Sequence, residues 1–581
     1  MSSRVQENER PAGLLYAVDE WPPPVRLTML GFQYAVMSAI YLVLVVIIVR
    51  QAHVAQDASV RILGIACVGL AIGTALQSLP RGPIGSGFLA PPVFSAIFLT
   101  PSLLAAQLGG MSLVFGMILF AGIIEFLVGI VLRQLRLVIT PVLSGLTVFV
   151  VGLELGVVGI GQALDVRHEG LPTFPLHLAL ATVTLLVPIS LSIWGRGALK
   201  LLCSLLGLTT GMIGAAVIGL LGPAELSTFG KTSWIALPRP AFLHLEFDAA
   251  LAPAFFAAGI AAALRSVGVV TTCQRLNNAA WRRPDTSNIR KGVLADGLAN
   301  VIGGVLGVPG MSVGPSLVGM SGVTGATSRV IGFAAALVLL MFGFSPKLSG
   351  FFLLVPPEVA GSLLVFTACF MISGGMQIML SRPVDTRAVY VIGVPTLLAL
   401  SETVFPGYFR ELSRGVRSFI ISPLALSLIA AIILTLLFRL GTGQVAGTTW
   451  KDSNDAIVSA ITLLRDKMQT WKVAASLVET STAQAREIID YIVKHHSHHS
   501  EGQLRAFYDG LELRVDITYQ GSPTAHLPAL RHAHPQIGGE FDDEESAAYV
   551  GLRNFLQGLA LDRQQIKAQR KSVVVRLFYA A

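Results

Sequence analysis

Two stretches of the chain decide how the rest is read. Residues Leu79–Ser102 run LPRGPIGSGFLAPPVFSAIFLTPS, and residues Gly307–Thr327 run GVPGMSVGPSLVGMSGVTGAT. Both are apolar and nearly uncharged. Prolines at 80, 83, 91, 92 and 101 in the first, and at 309 and 315 in the second, argue against one continuous helix, because proline lacks the amide hydrogen that a helix interior needs. Glycines at 82, 85 and 87, and at 307, 310, 314, 319, 322 and 325, weaken helix further. Each stretch follows two full apolar runs, one in each half of the apolar region. A matched pair of interrupted segments points to an inverted-repeat transporter. Broken backbone at membrane depth is tolerated only where protein or a cavity satisfies its polar groups. The alternative is a pair of long loops, but both stretches are flanked by spanning runs.

Working outward, runs long enough for a span of roughly 20 residues lie at Met29–Val49, Ile62–Leu79, Leu108–Leu132, Leu137–Ile160, Leu176–Ile193 and Leu201–Leu221. After a polar stretch, Pro223–Asp248, they resume at Ala250–Val270, Gly292–Val308, Val330–Phe344, Phe351–Ile378, Val389–Phe405 and Phe419–Leu440. The 581-residue chain is 53% hydrophobic and only 13% charged, with mean hydropathy +0.68. Soluble domains carry about 25% charged residues, so a soluble protein is excluded for most of the chain. The net charge of +8 does not signal nucleic acid, since the basic residues sit mainly between apolar runs. Cys67, Cys203, Cys273 and Cys369 lie in or beside apolar segments without paired spacing, and read as packing residues. Met1–Val25 is polar and has no signal-peptide apolar region.

With the two interrupted segments, the count is 14, which puts both ends of the membrane region on one side. Arg275, Arg282, Arg283, Arg290 and Lys291 fill one loop on that side, joined by Arg133, Arg136, Arg196, Lys200, Arg329, Arg382 and Arg387. Arg410, Arg414 and Arg417 fall on the other. The positive-inside rule makes the richer side cytoplasmic, with both termini there. The predicted organisation is a cytoplasmic segment 1–27, a transmembrane domain 28–440, and a soluble α/β domain 441–581.

The membrane region, about residues 20–440, resembles the nucleobase–ascorbate transporter family, the xanthine/uracil permeases. Gly31-Phe32-Gln33-Tyr34 is similar to the family's Gly-Leu-Gln-His. Trp234 to Pro238 and Phe247 resemble its Trp…Leu-Pro…Phe approach. Ala295-Asp296-Gly297-Leu298 matches an Ala-Asp-Gly run. Gly319, then Thr324-Gly325-Ala326-Thr327-Ser328-Arg329, resembles the signature that ends the tenth segment. Pro357, Val359 and Gly361, Ser373-Gly374 and Asp385-Thr386-Arg387 fit the twelfth segment and the loop after it. The order and spacing of these matches are more specific than any one of them. The resemblance implies an all-α polytopic protein of two inverted seven-segment repeats, with a core and a gate domain. It also implies a substrate site between the third, eighth and tenth segments, alternating access, and oligomer contacts in the gate.

The sequence departs from the family at the site. Arg265, within Leu264-Arg265-Ser266-Val267-Gly268, stands where the family usually has a base-binding Glu. The Gln/Glu-Asn pair of the tenth segment falls on Ser316 and Leu317, with Ser312 and Gly314 as neighbouring equivalents. The first-segment His is Tyr34. The expected substrate-binding set is therefore Phe94, Ser95, Arg265, Ser266, Ser312, Gly314, Ser316 and Leu317. Asp296, Gln33, Tyr34, Thr324 and Arg329 are expected to serve coupling or structure.

A guanidinium near mid-membrane costs several kcal/mol unless paired or hydrated, and is by default a functional candidate. Arg265 could instead reach the cytoplasmic interface or form an ion pair with Asp296; the resemblance favours the site. Two half-helices would point their partly positive N-termini at the midplane. A guanidinium adds a full charge and a planar fork suited to adjacent oxygens. That field favours an anionic or carbonyl-rich solute: a xanthine or urate monoanion, a carboxylate or a small oxyanion. Asp296 is the candidate for proton coupling or for pairing Arg265. Glu125 and Glu154 also fall in apolar runs, Glu125 reading as a protonated packing residue. With the usual Glu absent, facilitated diffusion or exchange competes with proton symport.

In residues 441–581, helical periodicity covers Asp455 to about Lys494. Strands are predicted at Gln503–Tyr508 and Leu511–Tyr519 around an Asp509-Gly510 turn, then a helix at Glu544–Leu559 and strands at Leu561–Ala568 and Ser572–Tyr579. The order vaguely resembles the ATP-binding domain of histidine kinases. It lacks the nucleotide-box Asn, and Gln520-Gly521-Ser522-Pro523 stands near the place of the Asp-x-Gly-x-Gly loop. A regulatory or dimerising module is expected instead. His495, His496, His498 and His499 match no standard zinc spacing, and Asp542 to Glu545 reads as a solvated helix start. No Walker loop or His-Glu-x-x-His run suggests an enzyme, and no cofactor is expected. The leading expectation is an inner-membrane secondary transporter of a nucleobase-like heterocycle, a homodimer in lipid, with no nucleic-acid partner. The competing ones are an anion exchanger of the sulfate/bicarbonate type on this fold and a non-transporting sensor.

Overall fold

The computed structural model describes residues 11, 13–132, 134, 140–164, 174–196, 199, 202–221, 230, 232–241, 244–279, 284–380, 384, 386–405, 407, 422–438, 443–451, 453–471, 473, 475–495, 501–508, 512–520, 556, 563–569 and 572–580. The chain forms two compact units, Met1–Thr435 and Leu436–Ala581.

The first unit is helical. It begins with α1 (Pro24–Ala39), α2 (Leu42–Gln51) and α3 (Gln56–Ser78). A short strand β1 (Pro92–Phe94) then leads into α4 (Ala96–Val131), which bends at Gly109–Gly110. Next come α5 (Pro141–Leu164), α6 (Phe174–Trp194), α7 (Cys203–Val217), α8 (Ala252–Asn277) and α9 (Thr286–Leu306). A second short strand, β2 (Met311–Val313), precedes α10 (Pro315–Thr324) and α11 (Arg329–Gly343). The unit closes with α12 (Pro346–Gly350) and its 3-10 turn, α13 (Pro357–Met379), α14 (Thr386–Val404) and α15 (Pro423–Leu437). Among the described residues, seven helices are long and apolar enough to cross a bilayer, eight if the bent pair Arg329–Gly343 and Pro346–Leu354 is one span. The chain is thus an integral membrane protein on length and composition. Arg133, Arg136, Lys200, Arg282, Arg283, Arg382, Asp385, Arg410, Arg414 and Arg417 lie outside the described residues.

The interrupted stretches become a crossing of two extended segments. β1 and β2 pair antiparallel, with Pro92 opposite Val313, Val93 opposite Ser312 and Phe94 opposite Met311. Gly314 N–H donates to the Pro91 carbonyl at 3.0 Å, and Ser95 N–H to the Gly310 carbonyl at 3.1 Å. This pairing satisfies backbone groups that lipid could not. Gly307, at φ +81°, ends α9 in the left-handed region. Gly310 has no room for a Cβ, which would meet the Phe98 ring. The chain then re-enters a helix with Ser95 capping α4, its hydroxyl accepting from Ile97 N–H, and with Pro315 in the first turn of α10. Proline there forfeits no internal bond.

Helix contacts fall into two sets. In one, α4 packs on α8 and α9, α3 on α9 and α11, and α1 on α11. Close approach is allowed by small residues: a Cβ on Gly122 would strike Asn300 and Val301, and one on Gly297 would strike Phe126. In the other, α13 packs on α5, α6 and α7. There the buried His177 Nδ1 lies 2.5 Å from Glu358 Oε1, tying α6 to α13.

The second unit carries β3 (Gln444–Lys451), α16 (Asn454–Thr470), α17 (Ala475–His495), β4 (Glu501–Tyr508), β5 (Glu512–Gln520), β6 (Arg563–Gln569) and β7 (Ser572–Ala580). The described strands make one antiparallel sheet in the order β3-β4-β5-β7-β6. Two features differ from the sequence expectation. The helical run from Asp455 is two helices, separated near Trp471, and an edge strand, β3, precedes them. The Asp509-Gly510 turn, Gly521 to Pro523, His496, His498, His499 and Asp542 to Glu545 lie outside the described residues, as does the helix expected at Glu544–Leu559 apart from Leu556.

Candidate functional site

The β1–β2 crossing fixes where two helices begin. The N-termini of α4 and α10 follow directly from the paired strands. Unpaired N–H groups and the helix dipole make such ends favourable to negative charge. Arg265, on α8, reaches into this place. Its Nη1 donates to Ser95 Oγ at 2.9 Å, the same hydroxyl that caps α4. Its Nε is buried and has no hydrogen-bond partner among the described residues. Ser316, in the first turn of α10, is exposed, and its Oγ lies 3.1 Å from the Tyr41 hydroxyl. Tyr41 sits at the break between α1 and α2, close enough to Arg265 to act on it electrostatically. Ser95, Arg265, Ser316 and Tyr41 thus converge from four elements on one place.

The expected ion pair between Arg265 and Asp296 does not form: among the described residues Arg265 makes no salt bridge, and its charge is met by a neutral hydroxyl. The Asp296 carboxylate is engaged elsewhere. Its Oδ2 accepts from Ser266 Oγ at 2.5 Å, Ser312 Oγ at 3.0 Å and Val313 N–H at 3.4 Å. Ser266 and Ser312, both fully buried, therefore face this carboxylate. One turn along α9, Asn300 holds the same strand. Its Nδ2 donates to the Met311 carbonyl and its Oδ1 accepts from Met311 N–H, at 2.8 and 2.9 Å. Asn300 Nδ2 also lies 2.8 Å from Glu125 Oε2.

The remaining expected residues are distributed. Phe94 is buried in β1, Leu317 is buried in α10, and Gly314 is the residue before α10. Gln33 and Tyr34 meet α10 further along: Gln33 Nε2 is 3.5 Å from Met320 Sδ, and the Tyr34 hydroxyl is 2.6 Å from Ser321 Oγ. Thr324 donates to the Met320 carbonyl within its own helix. Arg329 belongs to a different assembly. It pairs with Asp19 at 2.8 Å, while its N–H donates to the Val18 carbonyl at 3.0 Å. Thr327 N–H bonds the Tyr16 carbonyl, and Ser328 Oγ the Glu20 carbonyl. The Thr327-Ser328-Arg329 run is thus a dock for the segment before α1. Sequence reasoning missed Tyr41 and Asn300, since neither a tyrosine beside an apolar run nor one amide in a helix stands out.

A family model described as a permease family (Xan_ur_permease) matches residues 26–407. The xanthine permease XanP of Escherichia coli K12 is 25% identical over 460 residues, covering 75% of this chain and 98% of its own. The uracil permease of Bacillus subtilis is 24% identical over 381 residues, covering 61% and 82%. Among solved structures, the murine Solute Carrier 26 family member A9 anion transporter in its inward-facing state is similar. Its TM-score is 0.51 at 12% identity, covering 76% of this chain and 72% of that one. That likeness concerns fold alone.

Proposed function

Because this chain belongs to the xanthine/uracil permease family, we propose that it is a secondary transporter of a nucleobase-like heterocycle of xanthine, urate or uracil type. The solute binds between the N-termini of α4 and α10, against Arg265, Ser95 and Ser316, with Phe94, Gly314 and Leu317 shaping the pocket. Ser266, Ser312 and Asp296 hold the strand crossing behind it. Access alternates as the set of helices around α4 and α9 moves against the set around α5 and α13. The architecture is 14 segments in two inverted repeats, in a bacterial inner membrane, with both termini and an α/β regulatory domain in the cytoplasm. The protein works as a homodimer and transport is proton-coupled.

The observation that carries the site is Arg265: a guanidinium with no salt bridge among the described residues, bonded to the hydroxyl that caps α4. The same observation favours a second reading, an anion carrier or exchanger for carboxylates, sulfate or bicarbonate. Uptake of radiolabelled xanthine into proteoliposomes, with uracil, urate, sulfate and dicarboxylates as competitors, separates them. Inhibition by xanthine and urate is expected, and by sulfate alone is not. Arg265→Glu is expected to abolish uptake; unchanged uptake removes Arg265 from the site.

A further inference from the structure

Behind the proposed site lies a buried acid that the transport reading leaves idle. Glu125, on α4, is fully buried, and so is Asp296 across the α4–α9 interface. The two carboxyls are near enough for each to act on the other. Their surroundings are unequal. Asp296 Oδ2 accepts three donors, the environment of an ionised carboxylate. Glu125 has Asn300 on Oε2, while among the described residues its Oε1 is buried with no hydrogen-bond donor. A bare carboxylate oxygen in a dry interior is costly, and two like charges in contact do not both stand. The charged groups on helices packed against α4 are Arg265 and Arg275 on α8, Arg290, Lys291 and Asp296 on α9, Arg50 on α2 and Glu154 on α5. Of these, Asp296 is the one that acts on Glu125. Arg50 is turned to the carbonyls of Leu353 and Val355, and Arg265 acts on Asp296.

We propose that Glu125 and Asp296 form the proton-binding site of the carrier, with Glu125 Oε1 taking the proton, coupled to the solute through Arg265. The inference rests on the transport reading and names the residues that carry its coupling proton. While Arg265 is empty of solute, its positive field weakens the pair's hold on the proton they share. An anionic solute on Arg265 cancels that field, and the pair holds the proton more tightly. The two therefore bind together, and by linkage each strengthens the other. Ser266 follows Arg265 on α8, and its hydroxyl and that of Ser312 touch Asp296. Hydroxyls both donate and accept, so they can pass the proton inward. The proton comes from water outside, forms an O–H bond at Glu125 Oε1, and returns to water on the cytoplasmic side. No other bond changes.

The test uses the full chain in proteoliposomes with radiolabelled xanthine. Wild type is expected to show xanthine counterflow, and uptake that rises when the outside is made acid. Glu125→Gln fixes the pair in a form resembling the protonated one. It is expected to keep counterflow and to lose the response to the gradient, falling to the level without one. A gradient response in E125Q equal to wild type overturns the proposal, as does counterflow without any gradient response in wild type; both leave the transport reading standing. Absence of counterflow of xanthine, urate and uracil in wild type instead removes the transport reading. Infrared spectroscopy of purified protein decides the proton site independently, including where E125Q fails to fold. A protonated-carboxyl stretch that grows on adding xanthine to wild type, and is absent from any E125Q that folds, is expected. No such band in wild type at neutral pH, with or without xanthine, overturns the proposal.

Discussion

Arg265 donates to a hydroxyl and makes no salt bridge among the described residues, so its charge is left for something that comes and goes. The planar fork matters as well as the charge, because a guanidinium can hold Ser95 and a solute at once, while an ammonium is a point charge. Arg265→Lys is therefore expected to weaken solute binding. The loss of a charge-assisted bond is about 1.5–3 kcal/mol, or about a ten- to hundredfold rise in the apparent dissociation constant, read by equilibrium binding of labelled xanthine. Tyr41→Phe removes only the hydroxyl that meets Ser316. A neutral bond is worth about 0.5–1.5 kcal/mol, so a few-fold change in the half-saturating concentration of uptake is expected, with an unchanged maximal rate. Arg265 was visible in the sequence because a charge inside an apolar run has few explanations. Its partner was not: Asp296 is the obvious candidate by charge, yet Ser266, Ser312 and Val313 claim its Oδ2. Contacts of that kind depend on how β2 returns past α9, which residue types do not encode.

The breaks were legible at the scale of elements, because Pro91, Pro92, Pro309 and Pro315 cannot continue a helix. The pairing of the broken segments was not, since strands of three residues are too short to show a period of two. Asn300 shows what the pairing costs to hold. Its side chain meets both backbone groups of Met311, so Asn300→Ala would leave a buried N–H and a buried carbonyl without these partners. Each orphaned group costs about 1–3 kcal/mol. A lowered melting temperature in detergent is expected, measured by thiol-reactive or tryptophan fluorescence, together with weaker xanthine binding as both helix starts drift. Asn300→Asp keeps an acceptor for Met311 N–H but loses the donor and sets a third carboxyl beside Glu125 and Asp296. It is expected to melt no higher than the alanine variant.

For the whole molecule, composition and the spacing of apolar runs disclosed a membrane protein with a polar C-terminal part, since burial in lipid demands long apolar runs. The main hydrophobic core of each unit draws on that unit's residues alone. One gathers residues between Tyr34 and Leu424, the other residues between Trp450 and Tyr579. A chain ended at residue 440 therefore leaves the first core whole, and it retains Arg265, the strand crossing and the Glu125–Asp296 pair. If transport belongs to the membrane unit, this shortened chain inserts and takes up xanthine with an unchanged half-saturating concentration, although its rate differs if the second unit regulates turnover. A sensor makes the opposite demand: the full-length chain binds xanthine but moves none across the bilayer. Parallel binding and uptake measurements on the two chains separate the cases. Binding without flux in the full-length protein would remove the transporter reading, while equal binding with altered flux in the shortened one assigns the second unit to control of rate.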